Sequence, residues 1–225
     1  MLSSVPSATT PEQTRRSQEE RRAGTRATLL DAALECLVEV GYAGTTTGLV
    51  CERAGLSRGA HLYHFGTRAS LVAAALIELF KRREIEFGEQ IAALPSDGGR
   101  EEQALDLLWS WYTGPLFYAS VDLGAAARTD SELRARLEPV ERHLNQLTLI
   151  RCRRMFATGP EDPSRDQPIQ LALSTIRGLA LLPVLHPGAG QAEQQWGFVR
   201  GELLRILAEP GPTISAARRR PEGEI

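Results

Sequence analysis

Apolar residues recur at steps of three and four along almost the whole chain, and no stretch alternates apolar and polar residues between turn signals as a half-buried strand does. That periodicity restricts the chain to an all-α fold. The first stripe, Leu30, Ala33, Leu34, Leu37 and Val38, closes at Gly41, where a left-handed residue can end a helix, and predicts a helix over about 25–40. Thr45, Thr46 and Thr47 suit the start of a short helix that stops at Ala54-Gly55-Leu56-Ser57, and a second short helix follows up to Phe65. Thr67 caps a longer helix whose phase continues through Leu71, Ala75, Phe80, Phe87 and Leu94 until Pro95 and the Ser-Asp-Gly-Gly loop stop it.

Beyond that loop, helices are expected over about 101–112 and, after Gly114-Pro115, to about Ala127. Thr129-Asp-Ser-Glu132 has capping-box spacing, and Pro139 suits the first turn of a helix, so a short helix near 130–137 and a long one from Pro139 to about Ala157 are expected. Two last helices cover about 168–185 and 191–208. The segments 1–20 and 210–225 are too poor in apolar residues to offset the entropy of ordering and read as a flexible arm and tail. Between them lie a head over 21–66, a linking helix over 67–94 and a larger helical domain over 101–209.

Composition narrows the function. With 42% hydrophobic and 24% charged residues and a net charge of −2, this is an ordinary globular chain. Its longest apolar run, Leu179 to Leu185, contains Pro183 and is far too short to span a bilayer. The start lacks a basic stretch followed by an apolar one, which makes the cytoplasm the expected location. Cys36, Cys51 and Cys152 form no close pair, so neither a disulfide framework nor a cysteine-rich metal site is indicated. Gly41-Tyr-Ala-Gly44-Thr is no phosphate loop, because the chain's one lysine is Lys81, and Gly188-Ala-Gly190 follows no strand. His61 and His64 lack a third ligand nearby, so no metal is expected, and no cofactor either. No nucleophile, base and orienting acid stand in recognisable arrangement, which argues against an enzyme.

The charge is unevenly placed. Between Arg21 and Arg68, Arg21, Arg22, Arg26, Arg53, Arg58 and Arg68 face Asp31, Glu35, Glu39 and Glu52, and 53–77 holds no acid. Charge alone fits a solvated face as well as a polyanion footprint; a motif tips the balance. A helix-turn-helix needs a small residue where its helices cross, a glycine in the turn and a second helix with an acid-free polar face. Cys51, Gly55 and the helix after Ser57 meet those needs, with Leu56 as core anchor. Outward candidates are Arg58, Ala60, His61, Tyr63 and His64, with Gly59 and Ala60 permitting close approach. Arg58 can pair bidentately with guanine O6 and N7. Phe65 reads as core; Tyr63 fits either role.

Ser57-Arg-Gly-Ala-His-Leu-Tyr-His-Phe65, preceded by Thr46-Thr47 and Arg53-Ala-Gly-Leu56 and followed by Thr67-Arg68 and Leu71, resembles the DNA-binding domain of TetR-family transcriptional regulators. The resemblance covers about Arg21 to Phe80. It implies that Thr47, Tyr63 and His64 hold phosphates, that Arg58 and Ala60 sit at base edges and that Arg68 reaches the DNA backbone, with Thr46 and Ser57 as flanking contacts. Two departures stand out. His61 precedes Leu62 where an apolar residue and then tyrosine are usual, which leaves open which of the two packs inward. Gly48 replaces a longer side chain, which shifts base reading toward the second helix of the motif.

The aromatic residues Trp109, Trp111, Tyr112, Phe117 and Tyr118 flank Gly114-Pro115, and His143, Asn145, Gln146 and Arg177 stand on otherwise apolar helices. An apolar pocket with a few orienting groups is built from such material, so Trp109, Tyr112, Phe117, Tyr118, His143 and Arg177 are candidates for a small-molecule effector site. The resemblance further implies a homodimer formed by the last two helices, double-stranded operator DNA as partner, and a repressor released by its effector. The alternative is a helical dimeric module that binds a small molecule or a protein and whose DNA head is inactive.

Overall fold

The computed structural model describes residues 11–96, 98–156, 165–186, 188 and 190–208. Among them there is no strand. The helices in chain order are α1 (Pro11–Gly44), α2 (Thr47–Ala54), α3 (Arg58–His64), α4 (Arg68–Ala92), α5 (Arg100–Tyr112), α6 (Pro115–Ala127), α7 (Ser131–Met155), α8 (Asp166–Ala180), α9 (Leu182–Leu185) and α10 (Gln191–Ala208). None is long and apolar enough to cross a membrane.

Three departures from the sequence pattern have physical causes. Helix α1 begins at Pro11, inside the segment expected to be a flexible arm. Proline is favourable at a first helical position, and the Glu, Gln and Arg residues that follow are good helix formers needing no core. Residues 1–10 and the tail over 210–225 lie outside the described residues. At Gly41 the backbone turns non-helical (φ 66°, ψ −178°), where the apolar stripe closes. Helix α7 runs unbroken through Pro139, which was expected to open a new helix. Leu133 and Leu137 are anchored in one core before the proline, and Cys152 and Met155 in another after it, so packing overrides the lost N–H. Pro183, conversely, splits the expected helix over 168–185 into α8 and α9.

The chain forms two compact units. The first comprises residues up to Ile85 together with Pro115–Val140. One of its cores joins Leu29, Leu30, Ala33 and Cys36 of α1 to Val50 and Cys51 of α2 and Leu71 and Ala75 of α4. A second joins Leu37, Val72 and Leu76 to Leu123, Leu133 and Leu137. The second unit comprises Glu86–Gly114 and the residues from Glu141 onward, with one core around Leu105, Leu108, Cys152, Phe156, Ile169, Ile176 and Leu207. Trp109 stacks on Trp196 at 4.7 Å, Trp196 Nε1 donates to Asp106 (2.8 Å), and Arg200 pairs with Asp106 (2.6 Å) and Glu102 (2.9 Å). Arg153 donates twice to Asp166, at 2.7 and 2.6 Å. All three cysteines are buried, and burial pushes the Cys152 thiol up to about 12.

Candidate nucleic-acid interface

Local chemistry builds the α2–α3 hairpin. Thr46 caps α2 by accepting from the Leu49 N–H (3.1 Å), while the buried Thr45 hydroxyl donates to the Gly41 carbonyl (2.7 Å). Gly55 takes the left-handed conformation (φ 63°) that lets the chain reverse, and the Leu56 N–H closes on the Cys51 carbonyl at 2.9 Å. Ser57 then caps α3 by accepting from Ala60 N–H (3.3 Å), and the Cys51 thiol donates to the Ser57 carbonyl (3.7 Å). Crossing residue, turn and cap therefore stand where the motif requires them. Arg53 pairs with Glu39, tying the end of α2 to α1.

Helix α3 turns its faces differently from part of the expectation. Arg58 and Gly59 are exposed, Ala60 and His64 are half-buried, and Tyr63 is 66% exposed. His61, expected to face outward, is only 5% exposed, and Leu62 takes the outward place at 66%. The cause is helical phase. His61 and Phe65 are four residues apart, their rings lie 6.3 Å from one another, and the inward turn of Phe65 carries His61 with it. The spacing alone contained that signal. His61 Nε2 is buried with no hydrogen-bond partner among the described residues.

Arg68 also departs from its expected place. Its Nη2 donates to the Tyr42 carbonyl (2.6 Å) and its guanidinium lies 3.9 Å from the Tyr42 ring centroid, so it clamps the start of α4 to the end of α1 and does not reach outward. Burial pushes the Tyr42 hydroxyl up in pKa against the lowering effect of Arg68, and that hydroxyl donates to Asp130 (3.1 Å). Asp130 caps α7 through Leu133 N–H (2.9 Å), which holds its carboxyl below the usual range. Thr67, Thr46 and Thr47 stay near the hairpin as caps and flanks; Thr67 accepts from Ser70 N–H and donates to Glu132.

The hairpin face gains two arginines that the motif does not mark. Arg22 lies 5.8 Å from the Tyr63 ring and Arg26 5.5 Å from the Phe65 ring, and both are exposed. Their four-residue spacing on α1 put them on one side. No acid occurs over 53–77, so α3 and the first turns of α4 add no negative side chain to that face.

Residues 29–75 match the family described as bacterial regulatory proteins, tetR family. Over 196 residues the chain is 31% identical to the HTH-type transcriptional regulator CymR of Pseudomonas putida, covering 87% of this chain and 95% of that protein. It belongs to the TetR family. An uncharacterized HTH-type transcriptional regulator of Mycobacterium tuberculosis, Rv2912c, is 36% identical over 125 residues, and the chain spans 64% of that relative's length and 56% of its own. Among solved structures, a TetR transcription regulator from Haloarcula marismortui shares the fold with a TM-score of 0.60 at 19% identity, covering 83% of this chain and 97% of that one. The multidrug binding protein EbrR complexed with imidazole does so at 0.58 and 21% identity, covering 84% and 97%.

TetR-family proteins of this architecture set a helix-turn-helix beside further helices, and the candidate effector residues are found in both units. In the second, Arg177 Nη2 donates to the Tyr112 hydroxyl (3.1 Å) and to Asn145 Oδ1 (3.2 Å), with the guanidinium 5.2 Å from the Tyr112 ring. Burial raises the Tyr112 hydroxyl pKa. Trp109 is taken up by its stack on Trp196, and His143 is exposed on α7. Phe117 and Tyr118, with rings 5.7 Å apart, belong to the first unit, so sequence proximity to Tyr112 did not gather the aromatic set into one unit. Asn145 is the polar neighbour that the candidate set lacked.

Proposed function

We propose that this chain is a ligand-responsive DNA-binding regulator, a homodimer that sets two copies of α3 in successive major grooves of an inverted repeat about 34 Å apart. It acts as a repressor and is released by a small molecule. The observation that carries the reading is the cationic hairpin face: Arg58 projects from a correctly capped α3 with no acid nearby in sequence, and Tyr63, His64 and Thr47 flank it for phosphates. Leu171 (51% exposed) on α8 and Phe198 (73%) on α10 are apolar side chains available on the two helices that the dimer reading pairs. The Arg177–Tyr112–Asn145 group supports an effector site, as does the fold shared with EbrR, whose solved complexes hold imidazole, ethidium and proflavin. An effector that prefers one of two states 100-fold shifts the DNA-binding equilibrium by about 2.7 kcal/mol.

In vitro selection of bound duplexes from a random pool tests the reading. A palindromic site whose binding weakens steeply with salt is expected. The failure of purified protein to prefer any duplex over heparin or scrambled DNA overturns it. The burial of His61 beside Phe65 argues for an active DNA head over the inactive-head alternative, because it seats α3 on the core despite the inverted order at 61 and 62.

A further inference from the structure

Three glycines around the hairpin have a backbone reason to be glycine; Gly48 does not. Gly41, Gly55 and Gly66 adopt positive φ, whereas Gly48 is in ordinary helical conformation in the first turn of α2, where alanine would favour the helix. What occupies the missing side chain's place is Arg58. Its Nη2 lies 3.2 Å, and its Cζ 4.0 Å, from the point a Cβ at Gly48 would take, with Thr46 Oγ1 at 3.9 Å. Elsewhere in the hairpin, a Cβ at Gly59 would make an ordinary 3.6 Å contact with Ser57, and one at Gly55 would meet nothing.

Arg58 makes no hydrogen bond or ion pair with any described residue, and its guanidinium lies in the space that the absent side chain of Gly48 leaves open. A freely swinging arginine loses rotamer entropy when it docks on a base, and a fork held near its bound position loses less. We infer that Gly48 is a specificity-determining position: by lacking a side chain it lets the guanidinium of Arg58 lie across α2, and so sets the direction from which Arg58 approaches the base edges. Gly48 is thus a positioning residue, acting through Arg58. The inference rests on the DNA-reading function proposed above. A Cβ at 48 would be tight only against the far end of a flexible side chain, with the Thr46 hydroxyl at ordinary contact distance, so Gly48→Ala moves Arg58 and spares the fold.

The full-length chain and its Gly48→Ala, Gly48→Leu and Arg58→Ala variants, singly and combined, test this on the selected operator and its single-base changes. Arg58→Ala is expected to relax discrimination at its base position by the order of tenfold or more. Gly48→Ala should lower discrimination at that same position by a smaller factor and Gly48→Leu by as much as Arg58→Ala, with melting temperatures at or above that of the parent for Gly48→Ala. In the Arg58→Ala background, either change at 48 should alter discrimination less than about twofold. Unchanged preference in both Gly48 variants overturns the inference, as do effects that multiply independently with Arg58→Ala or fall on other base positions. A parent protein without sequence preference overturns the DNA-reading function and this inference together; a selective parent with indifferent Gly48 variants overturns the inference alone.

Discussion

Arg22, Arg26 and Arg58 on the hairpin face and Arg153 and Arg200 in the second unit are used in opposite ways. In the second unit, Arg153 is forked onto Asp166 and Arg200 bridges Asp106 and Glu102, so each charge is answered within the fold. On the hairpin face, Arg58 lies across a glycine with no ion pair among the described residues, and Arg22 and Arg26 of α1 rest over aromatic rings. A cation left without a counter-ion costs little in water and is ready for an external anion, whereas one fixed to a carboxylate contributes stability and has little left for a ligand. The contrast separates a surface that recognises from a unit that holds.

Substitutions can break that contrast. The largest effect is expected from Asp166→Ala, which removes the forked carboxylate partner of the mostly buried Arg153; unfolding in urea should show a loss of about 1.5–3 kcal/mol, while DNA preference at permissive temperature stays intact. Arg58→Ala should do the reverse, costing about 1–3 kcal/mol of base discrimination with stability changed by no more than about 0.5 kcal/mol. If instead Arg58→Ala lowers the unfolding midpoint as Asp166→Ala does, the two regions do not differ in kind. His61→Leu replaces a buried imidazole with an unpartnered Nε2 by an apolar side chain and should raise stability by about 1 kcal/mol, read as a higher urea midpoint. A lower midpoint would mean that the imidazole has a role that burial alone does not explain.

The smallest effect concerns acid. The carboxyl of Asp130 is held below the ordinary value, chiefly by its bond from Leu133 N–H. The unfolded group titrates near about 3.9. The folded state therefore binds fewer protons in the window just below that value, so the stabilisation is complete above it and is lost as pH falls through the folded pKa. Asp130→Asn should flatten this part of the acid-unfolding curve relative to the parent protein, and identical curves would remove Asp130 from the account.

What the sequence made legible was local. Thr46, Gly55 and Ser57 act within four residues of themselves, and their roles in caps and turn could be read without knowing the rest of the chain. Features decided by distant packing were less legible. Pro139 looks like a helix start until residues anchored in a core on either side of it carry α7 through the proline, and Arg68 looks like a DNA contact until Tyr42, far away in sequence, takes its guanidinium. His61 lies between these cases: its four-residue distance from Phe65 was visible, but its polar character argued for the surface, and helical phase prevailed. Phe117 and Tyr118 fall in a different compact unit from Tyr112, a division that their separation of five or six residues does not reveal.

The concealment of all three cysteine thiols has a practical consequence. A thiol out of reach of solvent cannot meet an electrophile, so maleimide dyes should leave the natural cysteines largely untouched in the folded protein. One cysteine introduced on an exposed position could then carry a fluorophore or spin label with no need to strip the native ones, and the same shielding should let the folded molecule pass through mild peroxide stress without losing its grip on its partner.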